Sequence, residues 1–311
     1  MKVRKIRWKR TFYVENKLIK RLEGDVYFVP GEGNGRFPAC HGFLLKGPET
    51  VLIDAGMGES RIREIDLEHR IDVLVITHSH PDHIRHAYLL EDRHLLMPEQ
   101  TPPSVTDLQA LGERFMGNPR DGALWAGFVE ACGVRALREP DERYADGHVL
   151  SIGGAELEPI HAPGHVLDHY CFLERNTGTL VTTDIDLTFF GPWYGNPESD
   201  IETFRESVNK VMAIPRRRVC SSHKEPVEGT ADDLFESYLE GFERQRKKIL
   251  DLCEAPITLN DLANASPLYN DGLPEKVMQF LFERRMVLKN LELLIRDGLV
   301  VESNGLYQRV Q

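Results

Sequence analysis

The stretch Ile71-Asp-Val-Leu-Val-Ile-Thr77, running on into His78-Ser-His80-Pro-Asp82-His83, decides how this chain is read. Its first half is almost wholly apolar and β-branched, as expected of a central strand covered on both faces. Its second half packs three imidazoles and a carboxylate into six residues. A continuing strand would send alternate side chains to opposite faces, so only a tight turn at the strand's end aims all four into one cavity. Neutral imidazole and carboxylate bind zinc and similar borderline cations without thiolate.

Working outward, three further polar positions follow strand-like runs. His161-Ala-Pro-Gly-His165 comes after Glu156–Ile160, Asp184 closes Leu180–Thr183, and His223 closes Val219–Ser222. Each alone reads as a structural group; together they supply the extra donors of a two-ion site. Two divalent ions roughly 3.5–4 Å apart need a bridging anionic ligand and several outer ligands. The candidate donors are therefore His78, His80, Asp82 and His83 with His161 or His165, Asp184 and His223. The cofactor expected is a pair of divalent ions, zinc first, with iron or manganese as alternatives.

Short β-runs closed by turns precede the histidine segment: Val26–Val29, Gly42–Leu45 and Val51–Ile53. A polar helix is expected around Glu59–His69. Glu99–Asp146, rich in Pro, Gly and charge, reads as an insertion with a helix near Gly122–Cys132. Strands resume at His148–Ile152, Ala155–Ile160, His169–Leu173 and Thr179–Thr183. Phe204, Val208, Val211 and Met212 form one helical stripe that Pro215 stops. From Leu234 the chain turns helical, over Phe235–Cys253, from a cap at Thr258, and over Pro274–Asp297. Gly298–Val301 and Gly305–Gln308 then flank a hairpin turn. The fold class expected is α+β, with residues 1–230 as a catalytic domain and 231–311 as a small helical, winged-helix-like domain.

Composition narrows the function classes. The 49 acids outnumber the 38 bases, for a net charge of −11, although the first ten residues hold six bases and no acid. An acidic body argues against a broad nucleic-acid surface. The basic decapeptide reads as a solvated edge strand. It lacks the apolar run of a signal peptide, and no stretch is long and apolar enough for a membrane span. The five cysteines, Cys40, Cys132, Cys171, Cys220 and Cys253, form no C-x-x-C pair, so buried thiols in a reducing cytoplasm are expected.

His78-x-His80-x-Asp82-His83 with His165, Asp184 and His223 resembles the metallo-β-lactamase-fold hydrolases over about residues 20–225. The resemblance implies a four-layer αββα sandwich with the site at one edge. It implies that His78, His80 and His165 hold one ion, Asp82, His83 and His223 the other, and that Asp184 bridges them. Asp54 matches the family's early strand-end aspartate, which supports ligands rather than binding metal. The mechanism implied is attack by a metal-bridging hydroxide on a carbonyl or phosphoryl centre, with Asp82 and Asp184 orienting it and Asp184 relaying a proton to the leaving group.

Departures from the family pattern bear on the substrate. Ile84-Arg85-His86-Ala87 replaces the x-Gly-Gly common after Asp82-His83. Arg85 and His86 are candidates for favouring an anionic substrate, with an outward helix position as the alternative. Trp193 and Tyr194, bracketed by Gly191, Pro192 and Gly195, are candidate pocket residues, whereas Phe189 and Phe190 read as core. Four activities are compatible with the motifs. The first is ester or thioester hydrolysis like that of the hydroxyacylglutathione hydrolases, although Trp193-Tyr194 stands where glutathione-binding members place a lysine. The second is a lactonase, which needs a tyrosine where Leu187 stands, unless Tyr194 folds inward. The third is a ribonuclease using the tail, and the fourth a mononuclear iron sulfur dioxygenase. A small-molecule substrate and a homodimer are the partners expected, with no membrane.

Overall fold

The computed structural model describes residues 19–270, 272–273 and 275–310. The basic decapeptide and its edge-strand reading lie outside them. Seven strands form the first sheet in chain order: β1 (Lys20–Glu23), β2 (Val26–Val29), β3 (Gly42–Lys46), β4 (Thr50–Ile53), β5 (Val73–Val75), β6 (His94–Pro98) and β7 (Glu142–Tyr144). β1 to β4 meander antiparallel, and β4 to β7 run parallel. The second sheet holds β8 (Leu150–Ile152), β9 (Ala155–His161), β10 (Tyr170–Glu174), β11 (Thr179–Thr183), β12 (Arg218–Ser221) and β13 (Val227–Glu228), in the order β13-β12-β11-β10-β9-β8.

The period-2 alternation of strands sorts side chains between two cores. From β3, β4 and β5, the residues Phe43, Leu45, Val51, Ile53, Val73 and Val75 face the second sheet, meeting Leu157, Tyr170, Phe172 and Val181. Leu44, Leu52 and Leu74 between them face outward, onto α1 (Glu59–His69), α3 (Leu108–Met116) and α4 (Pro119–Ala131). A single-turn α2 (Pro81–Ile84) follows β5. On the far side, Leu180 and Val219 pack against α5 (Ile201–Met212) and α6 (Asp232–Leu252) through Phe204, Val208, Phe235 and Tyr238. Helix, sheet, sheet and helix make the four layers that the family resemblance implies. Both faces of the sheets are covered, which is why the strands read as unbroken apolar runs.

The remaining elements are α7 (Leu259–Asn264), α8 (Lys276–Arg296) and a small sheet of β14 (Ile257–Thr258), β15 (Val300–Ser303) and β16 (Leu306–Arg309), ordered β14-β16-β15. Asn304 and Gly305, both at positive φ, turn the hairpin. These C-terminal elements share the cores of the rest. Phe282 of α8 joins the cluster under the first sheet, and Met286, Val287, Leu291 and Leu294 join the cluster under the second.

The Glu99–Asp146 excursion holds more order than its composition suggests. It contributes β7 and two capped helices: Asp107 accepts from Ala110 N at the start of α3, and Asn118 from Asp121 N at the start of α4. All five cysteines are free, and four are buried. No described helix is long and apolar enough to cross a membrane.

Candidate metal centre

The histidine segment is shaped by one proline. Pro81 disfavours helix at the residue before it, so His80 stays extended (φ −64°, ψ 149°) while Pro81–Ile84 coil into one turn. His78 and His80, two apart on extended chain, thus share a side, and the turn swings Asp82 and His83 round to join them. Asp54, at the end of the neighbouring β4, pins the corner by accepting from Thr77 N and Thr77 Oγ1, both at 2.9 Å. Gly56 must be glycine, because a Cβ there would stand 1.6 Å from the Asp82 carbonyl oxygen.

The ends of β5, β11 and β12 and the loop after β9 converge on this corner. His78, His80, His165 and Asp184 form one donor group, and Asp82, His83, Asp184 and His223 a second; the ligand atoms of each lie within 4.8 Å of one another. Asp184 belongs to both through different oxygens. Its Oδ2 faces His165 Nε2 at 3.2 Å and His78 Nε2 at 3.6 Å, whereas its Oδ1 faces His83 Nε2 at 3.0 Å and His223 Nε2 at 3.5 Å. The backbone pays for this aim, since Thr183, a β-branched residue, sits at φ +47°, a conformation that costs about 1–3 kcal/mol.

The opposite ring nitrogens show what the cluster is built to hold. His165 Nδ1 meets the Trp193 carbonyl at 2.8 Å, His83 Nδ1 the Asp54 carboxylate at 2.7 Å, and His223 Nδ1 the Gly35 carbonyl at 2.5 Å. Each of these acceptors fixes a proton on Nδ1, so each Nε2 lone pair is turned toward a carboxylate oxygen. Acceptor facing acceptor is repulsive unless a cation lies between, and imidazoles held by carbonyl or carboxylate partners are how proteins orient metal ligands. His80 differs, turning Nδ1 toward His165 Nε2 (2.8 Å) and His78 Nε2 (3.1 Å) while Nε2 meets the Asn196 amide. The donors fit borderline divalent ions such as zinc in both groups.

Charge tells the same story. Burial, reinforced by neighbouring imidazoles, pushes His78 and His80 well below the ordinary histidine value, into the neutral form a ligand needs. Burial also opposes charge on His223, but Asp184, Asp82 and Asp186 outweigh it and push His223 up to about 10. His83 is raised against burial in the same way, chiefly by Asp184 and Asp54. At pH 7 a proton on His223 therefore occupies the position of a cation, and metal must displace it. Metal affinity is expected to fall as pH is lowered below neutrality. Calorimetric titration with zinc at pH 7, in buffers of different ionisation enthalpy, should show at least one proton released per chain; none released would contradict this.

The remaining candidates divide. Trp193 stands at the site, its ring 5.4 Å from that of His80 and 5.5 Å from that of His165, and its indole N–H donates to Tyr269 Oη. Tyr194 is not a pocket residue. It is fully buried, its hydroxyl donating to Gln245 Oε1 (2.6 Å) and accepting from Asn290 Nδ2 (2.9 Å), both on C-terminal helices. His86 is likewise displaced from the ligands: its ring packs toward Tyr88, and neither ring nitrogen has a hydrogen-bond partner among the described residues. Arg85 turns to the Cys132 carbonyl. Phe189 and Phe190 are not core; Phe189 is 96% exposed, and Phe190 lies on Tyr269. Tyr194→Phe is expected to cost about 1–3 kcal/mol of stability and leave turnover near wild type, as checked by denaturant unfolding beside an activity assay.

Residues outside the motif complete the centre. Gly35, at φ +69°, lends its carbonyl to His223 because only a glycine avoids the His41 ring beside it. His169 Nδ1 donates to the Ala162 carbonyl, leaving Nε2 to accept from Asp184 N (3.2 Å), which steadies the shared carboxylate.

Comparison with known proteins agrees with this geometry. The family model described as the Metallo-beta-lactamase superfamily matches residues 39–223, more than half of the chain. The chain belongs to the metallo-beta-lactamase superfamily. A superfamily protein of Thermus thermophilus superposes with a TM-score of 0.70 over 92% of this chain and 99% of its own, at 21% identity. An atrochrysone carboxyl ACP thioesterase from Aspergillus fumigatus is 26% identical over 67% of this chain and 58% of its own length. The hydroxyacylglutathione hydrolase GloC of Haemophilus influenzae is 28% identical over 51% of this chain and 71% of its own. The Thermus structure superposes on more of this chain than residues 39–223, which the family model matches.

Proposed function

We propose that this superfamily hydrolase is dinuclear and hydrolyses the acyl carbonyl of a small-molecule thioester or ester. The observation that carries this reading is the division of one carboxylate, Asp184, between two buried donor groups. When bound, two cations so placed lower the pKa of a shared water toward neutrality and polarise an acyl oxygen. The chain's own residues do the rest. His78, His80 and His165 would hold one cation, and Asp82, His83 and His223 the other. Asp82 and Asp184 orient the attacking water, and Asp184 passes its proton to the leaving sulfur or oxygen.

The acyl group is assigned to the aromatic face beside the first donor group. Trp193, Phe190 and the exposed Phe189 follow Asp184 in sequence, and Tyr269 and Phe282 from the C-terminal elements back Trp193. Such a wall binds apolar area and excludes water. The C-terminal segment thus serves as a pocket wall. Thioester or ester chemistry is favoured over lactone opening because Tyr194, the tyrosine available for a lactonase, is locked in the core. Two relatives named for acyl-group hydrolysis, the carboxyl ACP thioesterase and the hydroxyacylglutathione hydrolase, point the same way.

A panel of thioesters, esters, lactones, phosphodiesters and β-lactams tests the reading. Thioester or ester turnover should lead, and His80→Ala should abolish it. Phosphodiester cleavage with no acyl hydrolysis would overturn it.

A further inference from the structure

We infer that Arg114, on α3, is the positioning residue that holds the His78–His80–His165 donor group in register. This rests on reading that group as a metal site and explains how two separate loops present their imidazoles to one point. The Arg114 side chain is only 11% exposed. Its Nη1 donates to Ser79 Oγ (2.6 Å), the residue between His78 and His80. Its Nη2 donates to Asp168 Oδ1 (2.8 Å), three residues past His165, and to Glu198 Oε1 (2.6 Å), while Nε donates to Glu198 Oε2 (2.9 Å).

Both carboxylates are anchored in turn, Glu198 to the His165 loop and Asp168, itself on that loop, to the segment after β6. Glu198 Oε1 also accepts from Leu167 N (3.0 Å), and Asp168 Oδ2 accepts from Thr101 Oγ1 (2.9 Å). Flanking Glu198, Asn196 meets His80 Nε2 and Ser199 Oγ donates to the His165 carbonyl (2.7 Å). Phe115, next to Arg114, lays its ring 5.1 Å from that of His80. One planar fork thus joins the loop after β5, the loop after β9 and the segment before α5. Only a guanidinium offers donors in that fixed geometry; a lysine keeps the charge and loses the fork. With its charge shared between Asp168 and Glu198, Arg114 serves the ligand loops and not an anionic substrate. Among the described residues none of its hydrogen bonds reaches the Asp82–His83–His223 group, so its influence is confined to one of the two sites.

The test is competitive zinc titration of wild type, Arg114→Lys and Ser79→Ala, with cobalt absorption spectra as a second readout. Supporting partners of metal ligands are worth about 10–100-fold in affinity. Arg114→Lys should weaken one ion by that factor, leave the other unchanged and alter one set of cobalt bands. Ser79→Ala cuts only the Nη1 arm and should shift the same ion in the same direction, so it decides the matter if Arg114→Lys does not fold. Arg93→Lys, which breaks a guanidinium–carboxylate pair with Asp66 at the opposite end of the first sheet, should leave both affinities unchanged. A wild type holding two ions beside folded variants with unchanged affinities would overturn this inference alone, as would equal weakening of both ions. A wild type that binds no metal would overturn the functional reading with it.

Discussion

Asp184→Asn is expected to lower turnover by about 10²–10⁴-fold and to reduce the bound metal from two ions toward one. The replacement is nearly isosteric, so the fold should survive; what it removes is negative charge from the point both donor groups share. Oδ1 and Oδ2 each face two imidazole nitrogens within 3.6 Å. An amide can offer one oxygen to one side only, and its NH2 would turn two hydrogens toward the other group's nitrogens. Two cations in close proximity need an anion between them, and among the described residues no second carboxylate joins both groups: Asp82 approaches His83 and His223. Metal analysis and steady-state kinetics on the purified variant check this. Full turnover with both ions retained would remove Asp184 from its bridging and proton-relay roles.

Removing metal is the second large effect. A chelator should abolish turnover and lower the melting temperature, because the folded chain alone gathers these ligands, and whatever binds only the folded state stabilises it. At free metal one hundredfold above the dissociation constant, each site contributes about 2.7 kcal/mol. For a chain of 311 residues that corresponds to a shift of about 4 °C per site. Without cations, the lone pairs of His83, His165 and His223 face carboxylates in a buried cluster, and only protons can offset the repulsion. The apoprotein should therefore also lose stability progressively as pH rises from the ordinary histidine value toward about 10, where His223 gives up its proton. Adding back zinc, manganese and iron separately, with thermal scans and activity after each, identifies the metal that restores both. A melting temperature and turnover unaffected by chelation would contradict the metal-centre account.

How much of this was legible in the sequence depends on how local each signal is. The strand into His78 and the turn forced by Pro81 are written within thirteen residues, so the ligand corner could be read directly. Asp184 and His223 were legible because each ends an apolar β-run, and strand ends are where this architecture gathers its chemistry. Arg114 was not legible: its partners Ser79, Asp168 and Glu198 lie 35, 54 and 84 positions away. An arginine in a charged excursion looks like a solvated helix face until those loops fold onto it. Tyr194 failed for the converse reason. Flanking Gly and Pro suggest an open loop, but Gln245 and Asn290, from helices about 50 and 100 residues onward, bury its hydroxyl. Phe189 and Phe190 read as core by hydropathy alone, yet the loop leaves Phe189 exposed and lays Phe190 on Tyr269. The strand His94–Pro98 and helix Leu108–Met116 went unread because each is short, and only tertiary packing distinguishes them from the turns around them.

The central claim, that one carboxylate joins two metal sites into a single hydrolytic centre, is tested most directly by counting metal. Protein dialysed against trace zinc and analysed for metal and protein together should carry two ions per chain, with Asp184→Asn losing at least one of them. A wild-type value of one ion or none at saturation, with undiminished acyl hydrolysis, would contradict it.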